Sequence, residues 1–510
     1  MKKIRILAAF LASLMLLGTF ASCAENTEAP ETGKSATNDV TNPIVEADTT
    51  EAKIKDNIPA DLRYEGDEIV IISRYREGWS SGEMTVEKLT SEPVNDAVYA
   101  RNQAIEERLG VKLTNIEDDD HDPSAYINRI ATVIKSGTHE YDLVAGPCYS
   151  AINESLNGTF ADIRKADYID LDKPWWSQGF NEVVEYQGSQ YAATGSMLLS
   201  MYRFAFVTVF NKDMFTDHKV PFLYEDVANK TWTLDRQIEL VPIFHSDAVN
   251  QGKQDVEGDI FGLVSNDYIS VDPYWSSCNV DIIQKNSDGD YEIVFDSGKL
   301  HGVAEKVLNL FYGTGGAVYD YKHEGLDDEQ VYIRDMFAND GAAMATVRLM
   351  ELESSVIRNM ASEYGVVPMP KYDNTQEEYR TFLHDQFTVL CIPNTIYQED
   401  GRLDEIGAAM EIMGSESHYT VRPAYYETTL RTKLAQDPES AEMLDMVVQN
   451  VYIDAGIIYT AALNSFHDKF RKIVGSQNNT VASDYKSASK LIGRSMSLLI
   501  KKLDKIKDNT

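Results

Sequence analysis

Cysteine, histidine and positive charge are all scarce in this chain: 4 cysteines, 9 histidines and 47 basic against 81 acidic side chains in 510 residues. Apart from Cys23, the cysteines are Cys148, Cys278 and Cys391, scattered among apolar or small neighbours. An odd set at such spacing makes neither a disulfide framework nor a zinc site, so these thiols are expected to be small buried hydrophobes. The shortage of Lys and Arg leaves a formal net charge of −34. That argues against nucleic acid as a partner, and it favours a neutral or cationic ligand unless a local basic pocket intervenes. No apolar run reaches the roughly 20 residues that a bilayer span takes. Also missing are the Gly-x-Ser-x-Gly elbow, His-Glu-x-x-His, a phosphate loop and the dinucleotide-binding glycine pattern. Ser487-Ala-Ser-Lys490 fits Ser-x-x-Lys formally but has no Lys-Thr-Gly partner. A glycosidase, which needs just two carboxylates, is left open by this search.

What is present begins at the amino terminus. Lys2, Lys3 and Arg5 precede an apolar run from Ile6 to Leu17, the order of a secretory signal. Gly18, Thr19, Ala21 and Ser22 follow, small residues that suit a signal peptidase, and then Cys23. Ala21-Ser22-Cys23 resembles the bacterial lipobox, with Phe20 where an aliphatic residue is usual. The resemblance implies a signal peptide over 1–22 and diacylation of Cys23, hence anchoring at the outer face of a bacterial membrane. From Ala24 to about Asn57 the chain is rich in Glu, Thr, Asn, Ala and Asp and nearly empty of large apolar residues. Such a segment cannot bury a core, and 23–60 is expected to be a disordered linker from the anchor to the body.

The body opens on Glu68-Ile-Val-Ile-Ile-Ser73, a short apolar run that reads as a buried strand. Pro93 to Leu109 carries apolar residues at helical spacing and stops at Gly110. A second strand is expected over 111–116, a helix over about 126–135 ending at Gly137, and a third strand over 141–145. Strand alternating with helix argues for a mainly parallel, doubly wound sheet, whose ligand crevice lies beyond the carboxyl ends of its strands. Arg74, Trp79 and Tyr149 sit just past such ends and become candidates.

A second unit follows. Phe204-Ala-Phe-Val-Thr-Val-Phe210 is strongly β-prone. Trp232-Thr-Leu-Asp235 opens a helix that Thr231 or Thr233 can cap. Asp281–Lys285 and Tyr291–Phe295 flank Asn286-Ser-Asp-Gly-Asp290 as a hairpin. The acidic turn lacks the remaining ligands of an EF-hand loop and reads as a plain turn. The last helix, with Leu491, Ile492, Met496, Leu499, Ile500 and Leu503, is expected to pack on the body by that face.

Several blocks recur in an order that resembles one family. They are Tyr141-Asp-Leu-Val, Gly158-Thr-Phe-Ala-Asp-Ile163, Phe210-Asn-Lys-Asp-Met-Phe215, Thr231-Trp-Thr-Leu-Asp235, Phe261-Gly-Leu263, Asp340-Gly-Ala-Ala-Met-Ala345, Tyr364-Gly-Val-Val-Pro-Met-Pro370 and Arg422-Pro-Ala-Tyr-Tyr-Glu-Thr-Thr-Leu430. Each is weak alone. Together they resemble the extracellular solute-binding lipoproteins of ABC importers, the carbohydrate-type (family 1-like) group. The resemblance implies a two-lobed periplasmic-binding-protein type II fold, each lobe a mainly parallel sheet flanked by helices. One lobe would be 61–197 with 381–430 and the other 198–380 with 431–510, joined by crossings near 192–202, 381 and 431. It implies a monomer without cofactor, required metal or catalysis, which closes on a sugar or oligosaccharide and delivers it to ABC permease subunits. A peptide, a polyamine or another solute, or a sensor or adhesin without transport, stays open.

Sugars are held by aromatic rings against pyranose faces and by polar groups on hydroxyls, and the chain has 28 Tyr, 18 Phe and 5 Trp from which to build such a cleft. The positions that the resemblance implies for ligand contact are Trp175, Trp176, Tyr202, Arg203, Tyr274, Trp275, Arg348, Tyr425 and Tyr426. The alternative for Trp175 and Trp176 is packing within a lobe, and for Tyr425 and Tyr426 lining of the hinge.

Overall fold

In a computed structural model the described residues are 53–247, 258–266, 268–318 and 329–509, with the side chains of 329, 432–434 and 509 outside the description. The expected signal peptide 1–22, Cys23 and most of the linker lie outside the described residues. From Lys55 onward the chain forms one compact unit. The linker expected over 23–60 yields before its end. Asp56 takes two hydrogen bonds of 2.8 Å from the Arg108 guanidinium and one of 2.9 Å from Ser415, which ties the chain to the body there.

Thirteen strands are present among the described residues: β1 Glu68–Arg74, β2 Lys112–Asp118, β3 Leu143–Pro147, β4 Phe206–Asn211, β5 Leu263–Val264, β6 Ile283–Lys285, β7 Tyr291–Ile293, β8 Ala317–Val318, β9 Met344–Arg348, β10 Tyr364–Pro368, β11 Thr381–Phe382, β12 Thr388–Cys391 and β13 Val451–Tyr452. Two sheets dominate. The first has the order β12-β3-β1-β2, with β1 parallel to β2 and β3 and β12 antiparallel on the β3 edge. The second has the order β10-β4-β9-β5-β8. There β5 is parallel to β8 and β9, while β4 is antiparallel to β9 and β10. This is the two-lobed α/β fold, with reversed strands supplied where the chain returns from one lobe to the other.

The first lobe forms for local reasons. Helix α1, Pro93–Leu109, is capped by the Glu92 carboxylate, which accepts from the amides of Val94 and Asn95, and it ends on Gly110 at φ 71°, a left-handed conformation that suits glycine. Helix α2, Pro123–Lys135, is capped by Asp122 and buries Tyr126, Ile127, Ile130 and Ile134. Helix α3, Cys148–Ser155, continues directly from β3. Thr233, rather than Thr231, caps the helix Leu234–Phe244 of the second lobe. The hairpin forms as β6 and β7, its turn closed by the Asn286 side chain accepting from the amides of Asp288 and Asp290. Cys148, Cys278 and Cys391 are free and buried.

The chain passes between lobes three times. Ala193 bridges to Leu390, and Ala205 to Leu383. The third passage follows the helix Arg402–Tyr419, which packs on α1, and ends at the helix Pro438–Gln449, which packs on β10. The last helix, Val481–Asn509, buries Tyr485, Ala488, Ile492, Met496, Leu499, Leu503 and Ile506. Leu491, expected on that face, is 46% exposed because the buried stripe runs at 3–4 spacing through Ala488, Ile492 and Met496 and leaves it to one side. No helix among the described residues is long and apolar enough to cross a membrane.

Candidate functional site

The parallel strands β1 and β3 end on the same edge of the first sheet, at Arg74 and Pro147. On the second sheet β9 ends at Arg348, paired with Phe206 at the start of β4. These ends meet at a seam between the sheets. Arg74 is buried and gives its Nε to the Asp120 carbonyl at 3.0 Å, its Nη1 to Gln386 Oε1 at 2.8 Å and its Nη2 to the His121 carbonyl. Trp79, only 7% exposed, stands edge-on to Phe204 and His384, at 5.1 and 5.5 Å between ring centroids. Two guanidinium groups lie over its ring: Arg76 at 3.5 Å and, from the other sheet, Arg348 at 4.4 Å. A cation over an indole face is attracted by the ring quadrupole, the more so when water is excluded.

Arg348 is fully buried and donates to Glu351 at 2.7 Å. Arg203 reaches the Ser81 carbonyl at 3.2 Å and Glu353 at 3.3 Å, and Glu353 also accepts from the Tyr425 hydroxyl at 2.5 Å. The Tyr202 and Tyr425 rings lie 5.5 Å apart. Tyr149, at the start of α3, donates its backbone amide to the Asp385 carbonyl at 3.1 Å and lies near Arg74. Arg74, Trp79, Tyr149, Tyr202, Arg203, Arg348 and Tyr425 thus belong to one connected region.

The seam also holds groups that local sequence patterns do not reveal. His384, Asp385 and Gln386 come from the passage between β11 and β12. Arg471, from the helix Asp468–Gly475, pairs with Asp272 through two hydrogen bonds and lies 4.6 Å from the Tyr268 ring. Burial holds the His384 imidazole well below its usual pKa, and the positive charges of Arg348, Arg471, Arg76 and Arg74 push the same way. Burial raises the Asp385 carboxyl to about 7, against the opposing pull of Arg471. Only the polar His384-Asp385-Gln386 interruption between apolar Leu383 and Phe387 could have flagged His384 and Asp385; Arg471 carries no local signal.

The remaining candidates lie elsewhere. Tyr274 is fully buried, with its hydroxyl directed to Gln237 and Thr346. Trp275 is 0% exposed and packs against His467, Phe470 and Phe295 at centroid distances of 5.0, 5.6 and 6.4 Å. It stands on the same short helix as Asp272, Asp272–Ser277, and packs on His467, whose Nε2 is 3.5 Å from Asp272. Trp175 and Trp176 are buried in a separate core, where Trp176 donates to Glu411 at 3.0 Å. With Tyr202 and Arg422 they border a cavity of about 260 Å3. A Cβ on Gly195 would fall 2.0 Å from the Trp175 carbonyl oxygen, so only glycine permits that packing. Tyr426 points away from the seam and donates to Asp445. No cluster of three or more His, Cys, Asp or Glu arranged to hold a metal occurs among the described residues.

No protein-family profile and no curated protein matches the chain. Solved structures do. The galacto-N-biose/lacto-N-biose I-binding protein of the ABC transporter from Bifidobacterium longum, in complex with lacto-N-biose, has a TM-score of 0.55 at 12% identity, covering 87% of this chain and 98% of that one. The ABC substrate-binding protein Lmo0181 from Listeria monocytogenes, in complex with cycloalternan, has a TM-score of 0.53 at 14% identity, covering 86% of this chain and 100% of its own. Maltose-bound MalE3 of T. maritima gives 0.53 at 15%, covering 85% and 100%. The chain has the two-lobed α/β fold of these carbohydrate-binding ABC solute-binding proteins. At such low identity the likeness is one of fold.

Proposed function

We propose that this protein is a solute-binding receptor that takes a sugar or oligosaccharide between its two lobes and presents it to the permease subunits of an ABC importer. The observation that carries the reading is the seam. Strand ends of both sheets bring aromatic and hydrogen-bonding side chains together where three chain passages form a hinge, in a fold whose solved neighbours are sugar receptors. Closure is then a population shift, in which a ligand that touches both lobes favours the closed state by its differential affinity. Trp79, Tyr149 and Tyr425 from one lobe and Arg203 and Arg348 from the other are the contacts proposed for rings and hydroxyls. The lobes are assigned to 61–197 with 381–430 and 198–380 with 431–510. The chain acts as a monomer without catalysis, held at the outer face of the membrane through a diacylated Cys23.

The test is thermal and calorimetric. The chain from Ala24 onward is screened against oligosaccharides, peptides and polyamines. A ligand near 100 times its dissociation constant adds about 2.7 kcal/mol of stability. Stabilisation by one glycan class supports the reading, and stabilisation by peptides or polyamines alone overturns the sugar assignment. For the anchor, Cys23→Ala should move the protein from the membrane fraction to the medium.

A further inference from the structure

The net charge of −34 predicts a site that shuns anions, yet the seam is locally basic. Arg74, Arg76, Arg348 and Arg471 all act on the buried His384, and two of them share the Trp79 ring. Three of the seam's carboxylates are already committed: Glu351 to Arg348, Glu353 to Arg203 and Tyr425, and Asp272 to Arg471 and His467. Nearby Asp120 is paired with Arg129 at 2.9 Å. Among the described residues the Arg74 guanidinium has only neutral partners within hydrogen-bond distance, two backbone carbonyls and the Gln386 amide oxygen. These take three of its five N–H donors, a planar fork that matches a carboxylate. The Asp120 and Asp122 carboxylates act on this cation without bonding to it, and a buried cation whose hydrogen bonds all go to neutral acceptors is costly to keep, a cost that an anionic ligand group would offset.

We propose that the solute recognised at this seam is an acidic sugar of the uronate type, its pyranose lying near Trp79 and its carboxylate held by the Arg74 and Arg76 guanidinium groups. This rests on the receptor reading above and names its ligand class. Charge-assisted bonds to a carboxylate are among the strongest that a site can offer, and a basic pocket in an acidic protein selects its ligand locally where the overall field repels it.

The experiment titrates the chain from Ala24 onward, by calorimetry, with a panel of uronate oligosaccharides and their neutral counterparts of the same linkage and length, at low and high salt. A uronide should bind at least tenfold more tightly than its neutral counterpart, a difference of about 1.4 kcal/mol. Salt should weaken it, and Arg76→Gln should weaken it tenfold or more while the protein stays folded, its urea midpoint lowered by the loss of one cation–ring contact. Arg74→Gln serves as the second variant, read only if its midpoint shows a folded protein. Binding of the neutral glycan alone, or of both equally, overturns the acidic-sugar inference and leaves the receptor reading standing. Displacement of the uronide by equimolar inorganic phosphate or acetate reduces the site to an anion site and also overturns it. Absence of binding by every glycan overturns both readings.

Discussion

Replacing Trp79 separates what holds the seam together from what reports on it. Burying an indole removes about 200 Å2 from water, worth at most about 5 kcal/mol at 25 cal/mol per Å2. The two guanidinium groups over the ring add about 0.5–2 kcal/mol each where water is excluded. Trp79→Ala is therefore expected to cost about 3–5 kcal/mol by urea denaturation, in the range of aromatic-to-alanine changes in a core. Trp79→Phe keeps a ring between Phe204 and His384 and should cost about 1 kcal/mol. The chain has five tryptophans; Trp232 and Trp275 are fully buried, Trp175 and Trp176 border the cavity beside Tyr202, and it is Trp79 that carries the two guanidinium contacts of the seam. The largest change in tryptophan emission on ligand binding should thus come from Trp79. In Trp79→Phe that change should vanish while the protein stays folded. If the full emission change survives, the lobes do not meet ligand at Trp79 and the seam is not the binding cleft.

Trp275→Ala should destabilise the protein by about 3–5 kcal/mol while altering ligand affinity less than about threefold, because its ring packs with Phe470, Phe295 and Tyr485 behind the seam; calorimetry beside urea unfolding checks both. Asp272→Ala leaves the Arg471 charge without its bidentate partner and should cost about 3–5 kcal/mol, read in the same denaturation assay. For Asp385, the folded pKa of about 7 lies above the ordinary value of 3.8, so between them the folded state holds a proton that the unfolded state has lost. Its contribution therefore favours folding at low pH and is lost as pH rises from about 4 to about 7. Asp385→Asn should flatten that part of the stability profile, and a profile identical to that of the parent would refute the assignment.

Much of the architecture was legible because it rests on local chemistry. The buried run of β1, the helix from Pro93 to Gly110 and the turn at Asn286–Asp290 each follow from a period, a cap or a side-chain bond within a few residues. The site was legible only in part. Arg74 and Tyr149 could be placed because strand ends mark the crevice of an alternating α/β sheet. Trp275 drew attention as an aromatic beyond a strand, but period and position do not say which side of a short helix faces a neighbour, and the last helices cover it. Arg76, Asp272, His384, Asp385 and Arg471 were not found, since they come from distant stretches and become neighbours only after folding.

The sequence by itself determined the alternation of strands and helices, the acidic balance, the unpaired cysteines and the order of blocks that resembles a solute receptor. These are properties of short windows and of composition. The tertiary structure decided which aromatics stand at the seam, which are core, and that arginines from both sheets gather around one indole in a chain so rich in acid. That outcome depends on long-range packing, because a side chain's environment is set by whatever the fold brings against it, and no local period encodes the partner.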